Sequence, residues 1–139
     1  MAARARRGQR DDRRLARDNE RVPIHRCPRC LAVDISSDAH PTRVLRGNDV
    51  ADVVVCRDCY RAAELEFRIA CESSGLPYAP LSIRDGLRRL AFFYRDRLDA
   101  WSRDDVLVDE ADRDAAVRPI RKALDEVESR LRLMPLRES

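Results

Sequence analysis

Two cysteine pairs, Cys27-Pro28-Arg29-Cys30 and Cys56-Arg57-Asp58-Cys59, constrain this chain more than anything else in it. A CxxC spacing turns two sulfurs toward one point, and two such pairs supply the four ligands of a tetrahedral metal. Here 25 residues separate Cys30 from Cys56. The pattern predicts one structural Zn²⁺ on Cys27, Cys30, Cys56 and Cys59, closed by thiolates and without an open position for a catalytic water. Four of the five cysteines belong to the two pairs. That usage fits metal ligation in a reducing, cytoplasmic setting better than a disulfide framework. Cys71, beyond the second pair, reads as a small buried apolar residue.

The spacing of apolar residues around the pairs sets the expected elements. Val33-Asp34-Ile35-Ser36 alternates like a short strand, Ser37 to Pro41 reads as a turn, and Val44-Leu45 reads as extended. Gly47-Asn48-Asp49 is a turn signal, and Val53-Val54-Val55 is a β-branched strand running into Cys56. From Asp58 the period becomes helical, with Tyr60, Ala63, Phe67 and Ala70 on one face, Leu65 and Ile69 broadening it, and Gly75 as the stop. A knuckle, a hairpin and a second knuckle opening a helix form the layout of a treble-clef zinc finger.

Ser82, with Asp85 three residues on, caps a second helix whose stripe is Ile83, Leu87, Leu90, Tyr94, Leu98 and Trp101. Residues 102–116 are acidic. Val117, Ile120, Leu124, Val127, Leu131 and Met134 then repeat at steps of three and four, a heptad seam in which Pro119 either starts or kinks the helix. The two helices are expected to pair as an antiparallel hairpin; the alternative is a coiled-coil homodimer through residues 117–134. The expected fold is mainly α with a small β-hairpin. Its parts are a flexible basic arm (1–22), a zinc domain (23–75), a linker (76–81) and a helical hairpin (82–135).

Aromatic residues make up 5% of the chain. A core so poor in large rings benefits from a metal staple. The charge is distributed unevenly. Residues 1–26 hold nine arginines against four acids, whereas residues 27–139 hold nineteen basic against twenty-one acidic side chains. An arginine-rich arm suits phosphate backbones without base selectivity. Arg4, Arg6, Arg7, Arg10, Arg13 and Arg14 are the expected phosphate contacts, with Arg29 and Arg57, inside the knuckles, placing the domain on the nucleic acid. No run of apolar residues is long enough for a membrane helix.

His25-Arg26-Cys27-Pro28-Arg29-Cys30, Asp38-Ala39-His40-Pro41 and Asp52 to Arg61 together resemble a zinc-bearing HNH endonuclease domain. In that family an acidic-His or His-His pair lies between the knuckles, an Asn precedes the second knuckle, and a His directly follows its last cysteine. Here Ala39 separates Asp38 from His40, Asn48 or Asp52 stands for the Asn, and Tyr60 occupies the position of the last His. The resemblance implies a degenerate member that keeps the zinc and lacks catalysis. The expected function is therefore a non-enzymatic zinc-binding module for nucleic acid, DNA or RNA. The alternatives are a protein–protein adaptor with structural zinc, or an HNH-like nuclease using Asp38, His40 and Asp52.

Overall fold

The computed structural model describes residues 23–103, 106 and 108–135. Among these, the elements are β1 (His40–Arg46), β2 (Asp49–Val55), α1 (Arg57–Ser73), α2 (Ile83–Trp101) and α3 (Glu110–Leu133). The chain is mainly helical with one two-stranded antiparallel sheet, as the sequence predicts. The basic arm, with Arg4, Arg6, Arg7, Arg10, Arg13 and Arg14, lies outside the described residues.

The strands pair without a bulge from His40 opposite Val55 to Arg46 opposite Asp49. Gly47 takes φ 65° at the first central position of the connecting turn, a conformation open to glycine without a Cβ penalty. Upstream, the expected strand over Val33–Ser36 reduces to a single bridge between Arg26 and Asp34. The Asp34 carboxylate accepts from the Ser36 amide at 2.9 Å and from its hydroxyl at 2.6 Å, drawing the chain into a side-chain turn that competes with a ladder. His40 and Pro41, expected in a turn, instead open β1. The Ala39 amide donates to the buried Tyr94 hydroxyl at 3.0 Å, which fixes the point where the strand begins.

Helix α1 buries Cys59, Ala63, Phe67 and Cys71, one residue per turn. Leu65 and Ile69, expected to widen that face, are instead 56% and 53% exposed, because the hairpin covers only a narrow strip of the helix. The helix ends as the sequence predicts. Gly75 has φ 69°, its amide donates to the Glu72 carbonyl, and the Leu76 amide donates to the Cys71 carbonyl, the paired bonds of a Schellman cap.

Helix α2 starts on Ser82, whose hydroxyl accepts from the Asp85 amide at 3.1 Å. Leu87, Tyr94 and Trp101 of the expected stripe are buried, and so are Gly86, Ala91, Phe93 and Ala100 beside it. The wider burial arises because α2 is covered from two sides, by the hairpin and by α3. Ile83, expected on the stripe, is exposed. The antiparallel α3 has ended by that level, where the Pro135 carbonyl accepts from Arg84.

Helix α3 begins at Glu110, well before Pro119, so part of the acidic stretch is helical. Glu110 and Asp112 lie in its first turn and Arg130 and Arg132 in its last, both favourable to the helix dipole. Pro119 lies inside the helix on the exposed side, as does Ala115, so the carbonyl that the proline leaves unpaired faces water. Val117, Ile120, Leu124 and Val127 are buried, with Leu131 and Met134 packed at the margin. The seam is covered within the chain by α2, as the expected helical hairpin requires, and its buried residues are not open to the alternative pairing with a second copy. One apolar cluster runs from Cys27, Ile35 and Val55 through Leu87 and Tyr94 to Ile120 and Val127.

Candidate metal centre

The first knuckle is a closed loop. Pro28 presets the turn after Cys27, the Leu31 amide donates to the Cys27 carbonyl at 2.8 Å, and the Cys27 amide donates to the Val33 carbonyl at 2.8 Å. Leu31 completes the loop at φ 61°, the one non-glycine residue in the left-handed region among the described residues. Its side chain is 68% exposed, so little packing offsets that conformation. A left-handed Cβ costs about 1–2 kcal/mol, and glycine gives back about 0.5–1 of that in unfolded-chain entropy. Leu31→Gly is therefore expected to stabilise the protein by about 0.5–1 kcal/mol in urea unfolding. A destabilised variant would show that the Leu31 side chain matters more than its backbone.

The second knuckle is the start of α1. Cys56 is the N-cap residue, in extended geometry without a side-chain cap bond, and Cys59 lies in the first turn. Both sulfurs sit at the positive end of the helix dipole, which favours thiolates. Hydrogen bonding brings the knuckles together, because the Cys56 amide donates to the Cys27 sulfur at 3.3 Å.

The four sulfurs of Cys27, Cys30, Cys56 and Cys59 all lie within 4.8 Å of one another. A tetrahedron with metal–sulfur bonds of about 2.3 Å has edges of about 3.8 Å. The Cys30 and Cys56 sulfurs stand 3.8 Å apart, so the spacing fits a single ion. Cys27, Cys56 and Cys59 are buried and Cys30 is exposed, which gives a site at the edge of the core. Burial pushes the Cys27 thiol up, but the amides of Cys30, Cys56 and Arg29 outweigh it and bring the pKa down to about 6. Burial pushes Cys56 up to about 12, with the neighbouring sulfurs adding to the shift. Four sulfurs so close cannot all be anionic without a cation among them.

Arg29 closes the outer side. Its guanidinium holds Glu66 of α1 at 2.7 Å and lies beside the Cys59 sulfur. The Glu66 bond comes first among the contacts that raise the Arg29 pKa, and Arg29 in turn lowers that of Glu66. Arg29, expected to help place the domain on nucleic acid, clamps the first knuckle to α1. Arg57 is exposed at the first position of α1. Nothing in the CxxC spacing signals the Arg29–Glu66 clamp, since the two residues are 37 apart in sequence.

The HNH-like group is only partly assembled. His40 Nε2 stands 3.4 Å from Asp38 Oδ1, and its ring lies 5.8 Å from that of Tyr60. Asp52 is opposite Arg43 in the hairpin, three positions from the His40–Val55 pair. Strand alternation therefore turns it to the other face, where it pairs with Arg89 at 3.2 Å. His25 packs edge-on against Phe93 at 5.1 Å. Burial and then Arg97 lower its pKa, and it is no part of the sulfur cluster. Cys71 is buried in α1, outside that cluster, as expected for an apolar filler. Among the described residues no helix is long and apolar enough to cross a membrane. The chain matches no family model, no curated protein and no solved structure.

Proposed function

We propose that Cys27, Cys30, Cys56 and Cys59 hold one structural Zn²⁺ and that the chain is a non-enzymatic module for nucleic acid, working in a reducing, cytoplasmic compartment. The observation that carries this reading is the all-sulfur cluster with its 3.8 Å edge. Bound zinc neutralises the thiolates and ties the first knuckle to the start of α1. A closed tetrathiolate leaves no coordination position for water or substrate, so the binding chemistry belongs elsewhere in the chain.

The excess positive charge sits in residues 1–26, directly before the knuckle. Arg4, Arg6, Arg7, Arg10, Arg13 and Arg14 are the phosphate contacts in this reading, with Arg57 beside them. Arg29 contributes through the knuckle that it braces. Six phosphate contacts give a slope of about −5 for log K against log salt on duplex DNA. Fluorescence anisotropy with labelled duplex and single-stranded oligonucleotides tests this. Binding should weaken along that slope and collapse when residues 1–14 are removed; salt-insensitive or arm-independent binding would sink the reading.

Asp38 and His40 beside Tyr60 support descent from an HNH-like frame. With Tyr60 at the metal-binding histidine position and Asp52 on the opposite face, that frame lacks the groups for phosphodiester cleavage. A plasmid-nicking assay with magnesium or manganese should show no cleavage that His40→Ala removes. The adaptor reading keeps one specific support, an apolar groove between the hairpin and α2.

A further inference from the structure

That groove encloses about 570 Å³ and is walled by Val53 and Val54 of β2, His25, Pro28, and Phe92 and Phe93 of α2. Phe93 is buried, whereas Phe92 is 75% exposed at the groove's lip. Exposed phenyl rings beside an apolar cleft mark contact surfaces. The charges around Phe92 say which contact. Four residues before it stands Arg88, exposed and without an ion-pair partner among the described residues. Four residues after it stands Asp96, half exposed, with Arg97 as its neighbour at 2.7 Å. Residues at −4 and +4 lie on one side of a helix.

We infer that this face binds a second copy of the chain, with the two α2 helices crossing antiparallel about a two-fold axis at Phe92. Each Phe92 then enters the partner's groove. Arg88 of each copy meets Asp96 of the other, so the patch is complementary to itself, as an isologous contact requires. Arg89 and Arg95 would approach across the axis, each with a carboxylate of its own chain beside it, Asp52 at 3.2 Å and Glu128 at 3.5 Å, while Asp96 keeps Arg97 on one side and offers its exposed side to Arg88. Asp85 and Asp99, seven residues either side, would repel, which confines close contact to the two turns around Phe92. Two phenyl rings bury about 300–500 Å², below the roughly 1,200 Å² of a stable interface. The association is therefore reversible and grows with concentration.

Sedimentation velocity on the full, zinc-loaded chain over a wide concentration range tests it. The wild type should pass from monomer to dimer, and Phe92→Glu should weaken the dimer more than about tenfold. Arg88→Asp and Asp96→Arg should each weaken it, and the double variant should recover the wild-type constant. Zinc content and circular dichroism identify any variant that fails to fold, and the charge swap still decides the case if Phe92→Glu does. A wild type monomeric at every concentration overturns the inference and leaves the groove to a different protein. Association that ignores Phe92→Glu, or a double variant no better than the singles, overturns it as well.

Discussion

Cys59→Ser is expected to lose the metal and the folded knuckle lobe together. Structural zinc sites in small domains carry apparent binding free energies of about 10–16 kcal/mol, comparable with the roughly 5–15 kcal/mol that holds a whole domain. In this chain the sulfurs are also core atoms, with Cys27 at 0%, Cys56 at 4% and Cys59 at 5% exposure. A serine hydroxyl is shorter, harder and protonated at neutral pH, so it neither completes the tetrahedron nor balances the ion. What remains is three crowded sulfurs, one already inclined to ionise and one strongly disinclined. Metal analysis should fall from one Zn²⁺ per chain to a small fraction, and hydrogen exchange should rise across residues 24–60. A chelator acting on the wild type should reproduce both changes. Cys71→Ala, at a buried cysteine outside the cluster, should lose a little stability and keep the metal. Full zinc occupancy in Cys59→Ser, with an unchanged unfolding midpoint, would refute the four-sulfur site.

The four-sulfur site is legible in the sequence because its signal is local. Two CxxC turns, a Gly47-Asn48 reversal and a β-branched run into Cys56 each specify short-range geometry, and together they place four sulfurs. The Ser82 cap and the Gly75 stop were readable for the same reason. The departures come from contacts distant in sequence. Ala39 gives its amide to Tyr94, and that bond turns His40-Pro41 from a turn into the first residues of a strand. Leu65 and Ile69 have the period of a buried face, but the two-stranded sheet is too narrow to reach them. Gly86 looks like a weakness in α2; it is buried beside β1, but a Cβ there would make only ordinary contact, 3.5 Å from the Pro41 ring, so the packing does not demand glycine. Phe93 is buried although it lies off the stripe of Leu87, Tyr94 and Trp101, because one helix period cannot describe a helix buried from two directions.

Ile120→Ala is expected to cost about 3–4 kcal/mol, near the upper part of the range for a buried aliphatic truncation. Ile120 is 1% exposed and sits near the middle of α3, on the seam that the helix lays on α2. The neighbouring residue makes that burial more necessary. Pro119 removes a backbone bond from the middle of a 24-residue helix, at a cost of about 3 kcal/mol relative to alanine. Part of this returns through the stiffer unfolded chain, about 0.4–1 kcal/mol. Pro119 is exposed and gives no packing in exchange, so Pro119→Ala should stabilise by about 2 kcal/mol. Because the two residues are adjacent, their effects need not add, and the departure of the double variant from the sum of the single changes measures how strongly the backbone at Pro119 and the packing of Ile120 are coupled. Urea unfolding of the four proteins measures the cycle. If Pro119→Ala destabilises instead, the proline is fixing a bend on which the α2–α3 packing depends, and Ile120 would then be buried because of Pro119 rather than in spite of it.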